Sequence, residues 1–355
     1  MKSFVYTGLP ARVVFGAGTL EHLEREIEML GSSRALVLCT PQQRDQAQVV
    51  ADRLKTRCVG IFDRAVMHVP IETAREAREQ ARALEADCAV AVGGGSTTGL
   101  GKAIALESSL PILAIPTTYA GSEMTPIYGL TQGGLKKTGR DARVLPRTVI
   151  YDVDLTLSLP PALSATSGMN AIAHAVEALY AQDANPIMSL LAQEGIRALS
   201  SGLPGVVKKP QDIEARSQCL YGAWLCGAVL GSVGMALHHK LCHTLGGTFN
   251  LPHAETHTVV LPHAVAYNRA AAPDAMRAAA RAIGADDAAQ GLYALARSLG
   301  APLALKDIGM READLDRAAQ LATESPYYNP RPVEYGAIRQ LLDDAYHGRA
   351  PATSS

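Results

Sequence analysis

No two cysteines stand at CxxC spacing in this chain of 355 residues. The six present (Cys39, Cys58, Cys88, Cys219, Cys226 and Cys242) are scattered, several in apolar runs such as DCAVAV, where a thiol packs as a small hydrophobe. That usage argues against a disulfide scaffold and suits a reducing compartment. A basic run is also lacking: at a formal net charge of -1 the sequence carries no nucleic-acid footprint. The opening residues, MKSFVYTGLPARVV, hold no continuous apolar stretch of the kind a signal peptide needs, so the expected address is the cytoplasm. Internal repeats and low-complexity linkers are missing too. One uncharged run, Cys219 to Leu237, matches a membrane span in length and carries Gly227 and Gly231 at GxxxG spacing. Its four glycines, the lack of a second span and the His-rich segment directly after it favour a core helix buried on all sides, so no membrane partner is expected.

What is there is an ordinary globular balance, 48% hydrophobic and 19% charged, in a length sufficient for two domains. The first half alternates strand-like and helix-like segments. FVYTG, RVVFG, RALVLCT, CVGIFD, DCAVAV and LPILAIPTT read as strands; TLEHLEREIEML, QQRDQAQVVADRLK, TAREAREQARALEA and TTGLGKAIAL read as helices. Strands made almost wholly of Val, Ile, Leu and Ala are buried on both faces, as in a parallel α/β sheet. Beyond Leu159-Pro160-Pro161 the pattern turns helical, in ALSATSGMNAIAHAVEALYAQ, PIMSLLAQEGIRALSSGL and the Ala-rich stretch 270–323; THTVVLP is the most strand-like exception. The expected architecture is an α/β Rossmann-like domain over 1–158 followed by an all-α domain over 159–355.

Two loops and a histidine cluster carry the chemistry. Gly93-Gly94-Gly95-Ser96 lies between a strand end and a helix start, where backbone N–H groups and the helix dipole favour an anion; a plain tight turn needing positive φ is the alternative. Thr117 and Thr118, in PTTYAGSE after the next strand, are placed to hold ribose or phosphate, unless their hydroxyls satisfy their own backbone. Six of the ten histidines fall between His238 and His263. His239 and His243 share a helix face at i,i+4, as do Asn170 and His174 upstream, and His253 follows a turn at Asn250-Leu251-Pro252. Such a set suits either a divalent-metal site or a proton relay. His22, His68 and His347 read as ordinary surface or core residues.

RVVFGAGTL, GGGS, PTTYAGSE, NAIAHAVEA, HHKLCHTLGG and NLPHAETHTVVLPH, in that order, resemble the blocks of the iron-containing alcohol dehydrogenase family over essentially the whole chain. GGGSTTGLGKAIAL, PTTYAGSEMTPIYGLT and KKTGRDARVLPRTVIYD are similar in particular to its maleylacetate reductase branch. The resemblance implies a nucleotide-binding α/β domain, a helical catalytic domain of the kind shared with dehydroquinate synthases, and an active site in the cleft between them. It also implies a nicotinamide cofactor, NADH or NADPH, bound around Gly93, Gly94, Gly95, Ser96, Thr117, Thr118, Thr40 and Lys136. The family holds its metal with an aspartate and three histidines, whose positions here are Asn170, His174, His239 and His253. Asn170 is neutral and binds a dication weakly, so no metal ligand is assigned. Gly99 stands where the family loop often has an aspartate. Thr40 stands where NAD-preferring relatives place an acid, so the 2′-phosphate of NADPH meets no repulsion there. The implied reaction is reduction of the C=C bond of maleylacetate, a small dicarboxylate, to 3-oxoadipate in aromatic-compound degradation, by a homodimer. His243 and His253 are then donors or a proton relay, His174 and His239 complete the pocket, Asn170 offers its amide, and Lys240 is a candidate for the substrate carboxylate. Lys137 beside Lys136 is a weaker one. A metal-dependent alcohol or polyol dehydrogenase is the main alternative; a lyase of the dehydroquinate synthase kind and a non-catalytic nucleotide-binding protein are others.

Overall fold

A computed structural model describes residues 4, 6–9, 11–133 and 135–352. The side chain of Lys136, one of the expected cofactor contacts, lies outside the described residues. The chain forms two compact units, residues 8–159 and residues 160–355, the latter with the few residues before Gly8.

The first unit is built on β1 (Arg12–Gly16), α1 (Leu23–Met29), β2 (Ala35–Leu38), α2 (Arg44–Leu54), β3 (Cys58–Phe62), α3 (Ile71–Ala83), β4 (Cys88–Gly93), α4 (Gly95–Ser108), β5 (Ile112–Pro116), β6 (Ile127–Gln132), β7 (Leu135–Arg140) and β8 (Thr148–Asp152). Six of these strands make one parallel sheet in the order β1-β8-β5-β4-β2-β3. Alternation along each strand sorts its side chains to opposite faces. Val37, Val90 and Val92 pack with Leu23 and Ile27 of α1 and Val50 and Leu54 of α2. Leu36, Leu38 and Ala89 pack with Ala74, Ala77 and Ala81 of α3 and Leu100 and Ile104 of α4. Helices therefore cover both faces, which is why these strands are continuously apolar rather than alternating.

The order of the strands locates the ligand crevice. The chain runs outward from β2 to β3 at one edge, returns to β4 on the other side of β2, and continues outward through β5. The reversal between β2 and β4 is a topological switch point, and ligands of such sheets bind outside the carboxyl ends of the strands there. Two expectations need correction in this unit. Phe4, Tyr6 and Thr7 of FVYTG form no strand. The antiparallel pair β6–β7, turning at Gly133, was not anticipated; its residues mix polar and apolar without the periodicity of a buried strand.

The second unit is helical: α5 (Pro161–Ala178), α6 (Pro186–Lys208), α7 (Ile213–Ser232), α8 (Leu237–Phe249), α9 (His253–Asn268), α10 (Pro273–Ile283), α11 (Ala288–Ser298), α12 (Leu315–Thr323) and α13 (Tyr335–His347). Small residues let α6 and α7 approach closely: a Cβ on Gly222 would sit 3.0 Å from the carbonyl of Gly195 and 2.8 Å from Leu199. The run from Cys219 to Leu237 is thus not one helix. It ends α7 at Ser232 and enters α8 at a bend of 96°, and no single helix among the described residues is long and apolar enough to cross a membrane. THTVVLP also departs from its strand-like reading and lies inside α9. Val259, Val260 and Leu261 are buried there, so packing outweighs the β-propensity of a short branched run. The Ala-rich stretch 270–323 is divided into α10, α11 and α12 rather than being continuously helical.

Candidate active site

The carboxyl ends of β2, β4 and β5 are tied together at the switch point. Gln43, at the start of α2, donates from Nε2 to Thr117 Oγ1 at 2.6 Å, and Thr40 Oγ1 donates to Gln43 Oε1 at 3.2 Å. Thr117 N–H donates to the carbonyl of Gly93 at 3.2 Å. Gly93 has φ 146°, a conformation L side chains rarely adopt, and an added Cβ would fall 2.4 Å from Gln43 Oε1. A Cβ on Gly94 would come 2.9 Å from the Thr118 hydroxyl, whereas Gly95, the first residue of α4, is exposed with open space around it. A bare backbone leading into a 14-residue helix has the form of an anion-binding helix start, and a Cβ on Gly93 or Gly94 would crowd it. The expected residues Thr40, Gly93, Gly94, Gly95, Ser96, Thr117 and Thr118 thus share one strand-end crevice. Gln43, which links them, was missed by sequence reasoning, because an amide in a polar helix start carries no signal. Gly99 is closed off differently: a Cβ there would meet Val69 Cγ2 at 2.8 Å, so a larger residue would require Val69 to shift.

Lys102 holds the loop after β5 in place. Its ammonium is buried and donates to the carbonyls of Ser122 and Ile127, each at 2.7 Å, and to Thr125 Oγ1 at 2.9 Å. Burial pulls its pKa down to about 7, with buried Glu123 acting in the opposite sense. The charged form's three N–H groups are fully used by these acceptors, and their removal takes a charge-assisted donor from each of them. Lys102→Met is expected to destabilise the chain by about 2–4 kcal/mol, lowering the midpoint of thermal unfolding by roughly 5–15 °C. A calorimetric shift under about 2 °C would exclude this bracing role.

In the second unit the histidines assemble from three helices. α5 presents His174, α8 presents His238, His239 and His243, and α9 presents His253 and His257. Ring centroids lie 5.0 Å apart for His174–His239, 5.0 Å for His239–His257, 6.1 Å for His239–His243 and 4.4 Å for His253–His257. Exposure is graded across the cluster: His243 is exposed and His253 half-buried, His174 and His239 are buried, and His238 and His257 are fully enclosed. The helices are placed by Glu177, which sequence reasoning missed. This carboxylate is fully buried on α5, one turn after His174, and caps the start of α8 by accepting from the N–H groups of Ala236 at 2.9 Å and His238 at 2.7 Å. It also accepts from Nδ1 of His239 at 2.6 Å, and Nε2 of His239 meets Nδ1 of His174 at 2.8 Å. A carboxylate inside the Ala-rich pattern NAIAHAVEA was the available signal.

The tautomers of this chain follow from its anionic end. Glu177 accepts, so His239 carries its proton on Nδ1 and its lone pair on Nε2; His174 then donates from Nδ1 and keeps its lone pair on Nε2. Behind it, His238 Nε2 and His257 Nδ1 are 2.9 Å apart, with Cys242 Sγ 3.7 Å from the same His238 nitrogen. Burial, reinforced by the neighbouring histidines, depresses the pKa of both, so this pair is a neutral inner support. Lys240 turns elsewhere: its ammonium lies 5.7 Å from the centroid of the Tyr327 ring.

A metal ion fits this arrangement poorly. Asn170, His174, His239 and His253 include no anionic donor. Nε2 of His239, the lone pair that ring would offer to an ion, is instead hydrogen-bonded to Nδ1 of His174 at 2.8 Å. One feature runs the other way, since Oδ1 of Asn170 is buried with no hydrogen-bond partner.

Residues 10–153 match the iron-containing alcohol dehydrogenase family, and residues 164–346 match the C-terminal part of the Fe-containing alcohol dehydrogenase family. The chain belongs to the iron-containing alcohol dehydrogenase family and is a nicotinamide-dependent oxidoreductase. Within it the similarity is to maleylacetate reductases. The chain is 62% identical to the maleylacetate reductase of Burkholderia cepacia, covering 99% of this chain and 100% of that one. Crystal structures of the maleylacetate reductases of Agrobacterium tumefaciens and a Rhizobium strain superpose with TM-scores of 0.96 and 0.95, at 55% and 56% identity, over 99% of this chain and 100% of each of theirs.

Proposed function

We propose that this protein reduces the C=C bond of maleylacetate to 3-oxoadipate with NADH or NADPH, without a metal, acting as a cytoplasmic homodimer. The observation that supports the reading is the chain Glu177–His239–His174, in which two of the histidines expected at the family's metal position are hydrogen-bonded to each other. When bound, the nicotinamide would supply hydride to the olefinic carbon β to the ketone, leaving an enolate whose oxygen this chain's own donors meet. An enolate delocalises its charge, so hydrogen-bond donors suffice to stabilise it, whereas an alkoxide formed directly from a carbonyl draws more from a Lewis acid. His243 and His253, on the open side of the cluster, are the proposed donors to that oxygen. The α-carbon then takes a proton, regenerating the ketone. His174, at the end of the hydrogen-bonded chain away from Glu177, is the proposed source. Asn170 offers its amide to the same pocket. In the nucleotide crevice, Gly93, Gly94, Gly95 and Ser96 take the pyrophosphate, with Thr40, Thr117, Thr118 and Lys136 as further contacts. Thr40 in place of an acid leaves room for either nicotinamide.

The test is NADH and NADPH oxidation with maleylacetate before and after exhaustive chelation. Activity is expected to stay within about twofold. Loss of activity that iron or zinc restores would support the metal-dependent alcohol dehydrogenase reading, which the unpartnered Asn170 oxygen favours.

A further inference from the structure

The proposed substrate ends in two carboxylates, and the histidine cluster accounts only for its enone. Along residues 323–333 of the second unit lies a groove of about 340 Å³ whose lining includes Tyr327, Asn329 and Arg331. The Tyr327 hydroxyl is buried and has no hydrogen-bond partner. Desolvation and the charge of Glu177 raise its pKa, so it stays protonated and can only donate to an anion. Lys240, the residue after His239, sets its ammonium over the same ring, and Arg331 stacks on Tyr267 with its guanidinium carbon 4.1 Å from the ring centroid. Among the described residues neither cation has a carboxylate within ion-pair distance, although most arginines of the second unit's surface do. The only acid on the groove lining, Glu324, is exposed.

The wall is rigid where it needs to be. Tyr267 donates its hydroxyl to the carbonyl of Pro332 at 2.6 Å, and Arg331 donates to the carbonyl of Tyr267 at 3.2 Å. Asn268 and Asn329 exchange amide hydrogen bonds at 3.0 and 2.7 Å. The loop is thereby fastened to the end of α9, the helix that begins with His253. Two cations without acids, a buried donor and a fixed backbone are the elements of carboxylate recognition.

We propose that Lys240, Tyr327 and Arg331 form the subsite that holds one terminal carboxylate of the dicarboxylate substrate. This rests on the maleylacetate reading for the identity of the substrate, but not for its charge. The test uses the full-length enzyme with Arg331→Met and Tyr327→Phe, measuring steady-state kinetics with maleylacetate and calorimetric binding of adipate, a stable dicarboxylate of the same chain length. Arg331→Met is expected to raise KM about 10- to 100-fold and Tyr327→Phe about 3- to 10-fold, with kcat within about threefold of wild type. The Kd for adipate should move in parallel, with far-UV dichroism unchanged. KM and adipate Kd within about twofold of wild type in both variants overturn the subsite. A fall in kcat and unfolding midpoint at constant KM does so too, because it marks a structural role. If the wild type fails to turn over maleylacetate, the reaction assigned above is wrong and adipate alone decides. Binding that Arg331→Met abolishes keeps the subsite; binding that is absent from the wild type, or unchanged in the variant, overturns it.

Discussion

Glu177→Gln is expected to lower kcat by about two to four orders of magnitude while KM for the nicotinamide stays near its wild-type value. The isosteric amide keeps an oxygen for one of the N–H groups at the start of α8, so the helix can remain placed. The charge and the tautomer are what change. A glutamine NH2 group facing Nδ1 of His239 donates where Glu177 accepted, which moves the proton of His239 to Nε2. His174 must then accept on Nδ1, and the whole chain of hydrogen bonds that now runs from His174 through His239 to Glu177 reverses. A proton can no longer be stored at His174 beside a compensating anion. The cost to folding should be separate and smaller, about 1–3 kcal/mol for imperfect pairing of a buried amide. Rapid-quench measurement of the reduction step, alongside a thermal unfolding curve, separates the two effects. A folded Glu177→Gln variant that retains kcat within about fivefold sinks the relay and leaves Glu177 as a helix cap alone.

Asn170→Asp is expected to turn the pocket into a metal centre. The substitution supplies the anion that the donor set lacks, at a position one turn before His174 on α5, where the asparagine oxygen is already buried and unpartnered. A divalent ion bound there takes Nε2 of His239 for itself, and the hydrogen bond to His174 is lost. Glu177 would remain on Nδ1 of His239 and reinforce its basicity, as carboxylates behind metal-bound histidines do. Metal content after dialysis should rise to about one ion per chain, and maleylacetate turnover should fall at least roughly tenfold. Elemental analysis of both proteins, purified in parallel, provides the check. A variant that emerges as metal-poor as its parent would show that residue 170 does not set the occupancy.

Much of the architecture was readable along the chain, because its causes are local. A strand covered by helices on both faces must be apolar at every position, and DCAVAV and LPILAIP declared this without any coordinates. Glycines at a strand end opening into a helix reflect a backbone need that does not depend on distant residues. The density of histidines after residue 237 drew attention to one region by composition alone. The failures are equally physical. THTVVLP misled because branched residues tolerate a helix once all its faces are packed, and packing is not a property of seven residues. The bend between α7 and α8 lay hidden in an uninterrupted apolar run.

What the sequence determined by itself is therefore the succession of layers, the glycine turn at Gly93–Gly95 between a strand and a helix, and the presence of a cluster of imidazoles. It left open whether those imidazoles bind a metal or one another. Only the tertiary structure decided that His239 lies between His174 and Glu177, residues 65 and 62 positions away, and that Glu177 caps the helix that carries His239. The reason lies in range. Periodicity and turn chemistry act over a few residues, whereas a hydrogen bond between side chains on different helices depends on how those helices pack, and a buried carboxylate has no distinguishing mark until its partners surround it.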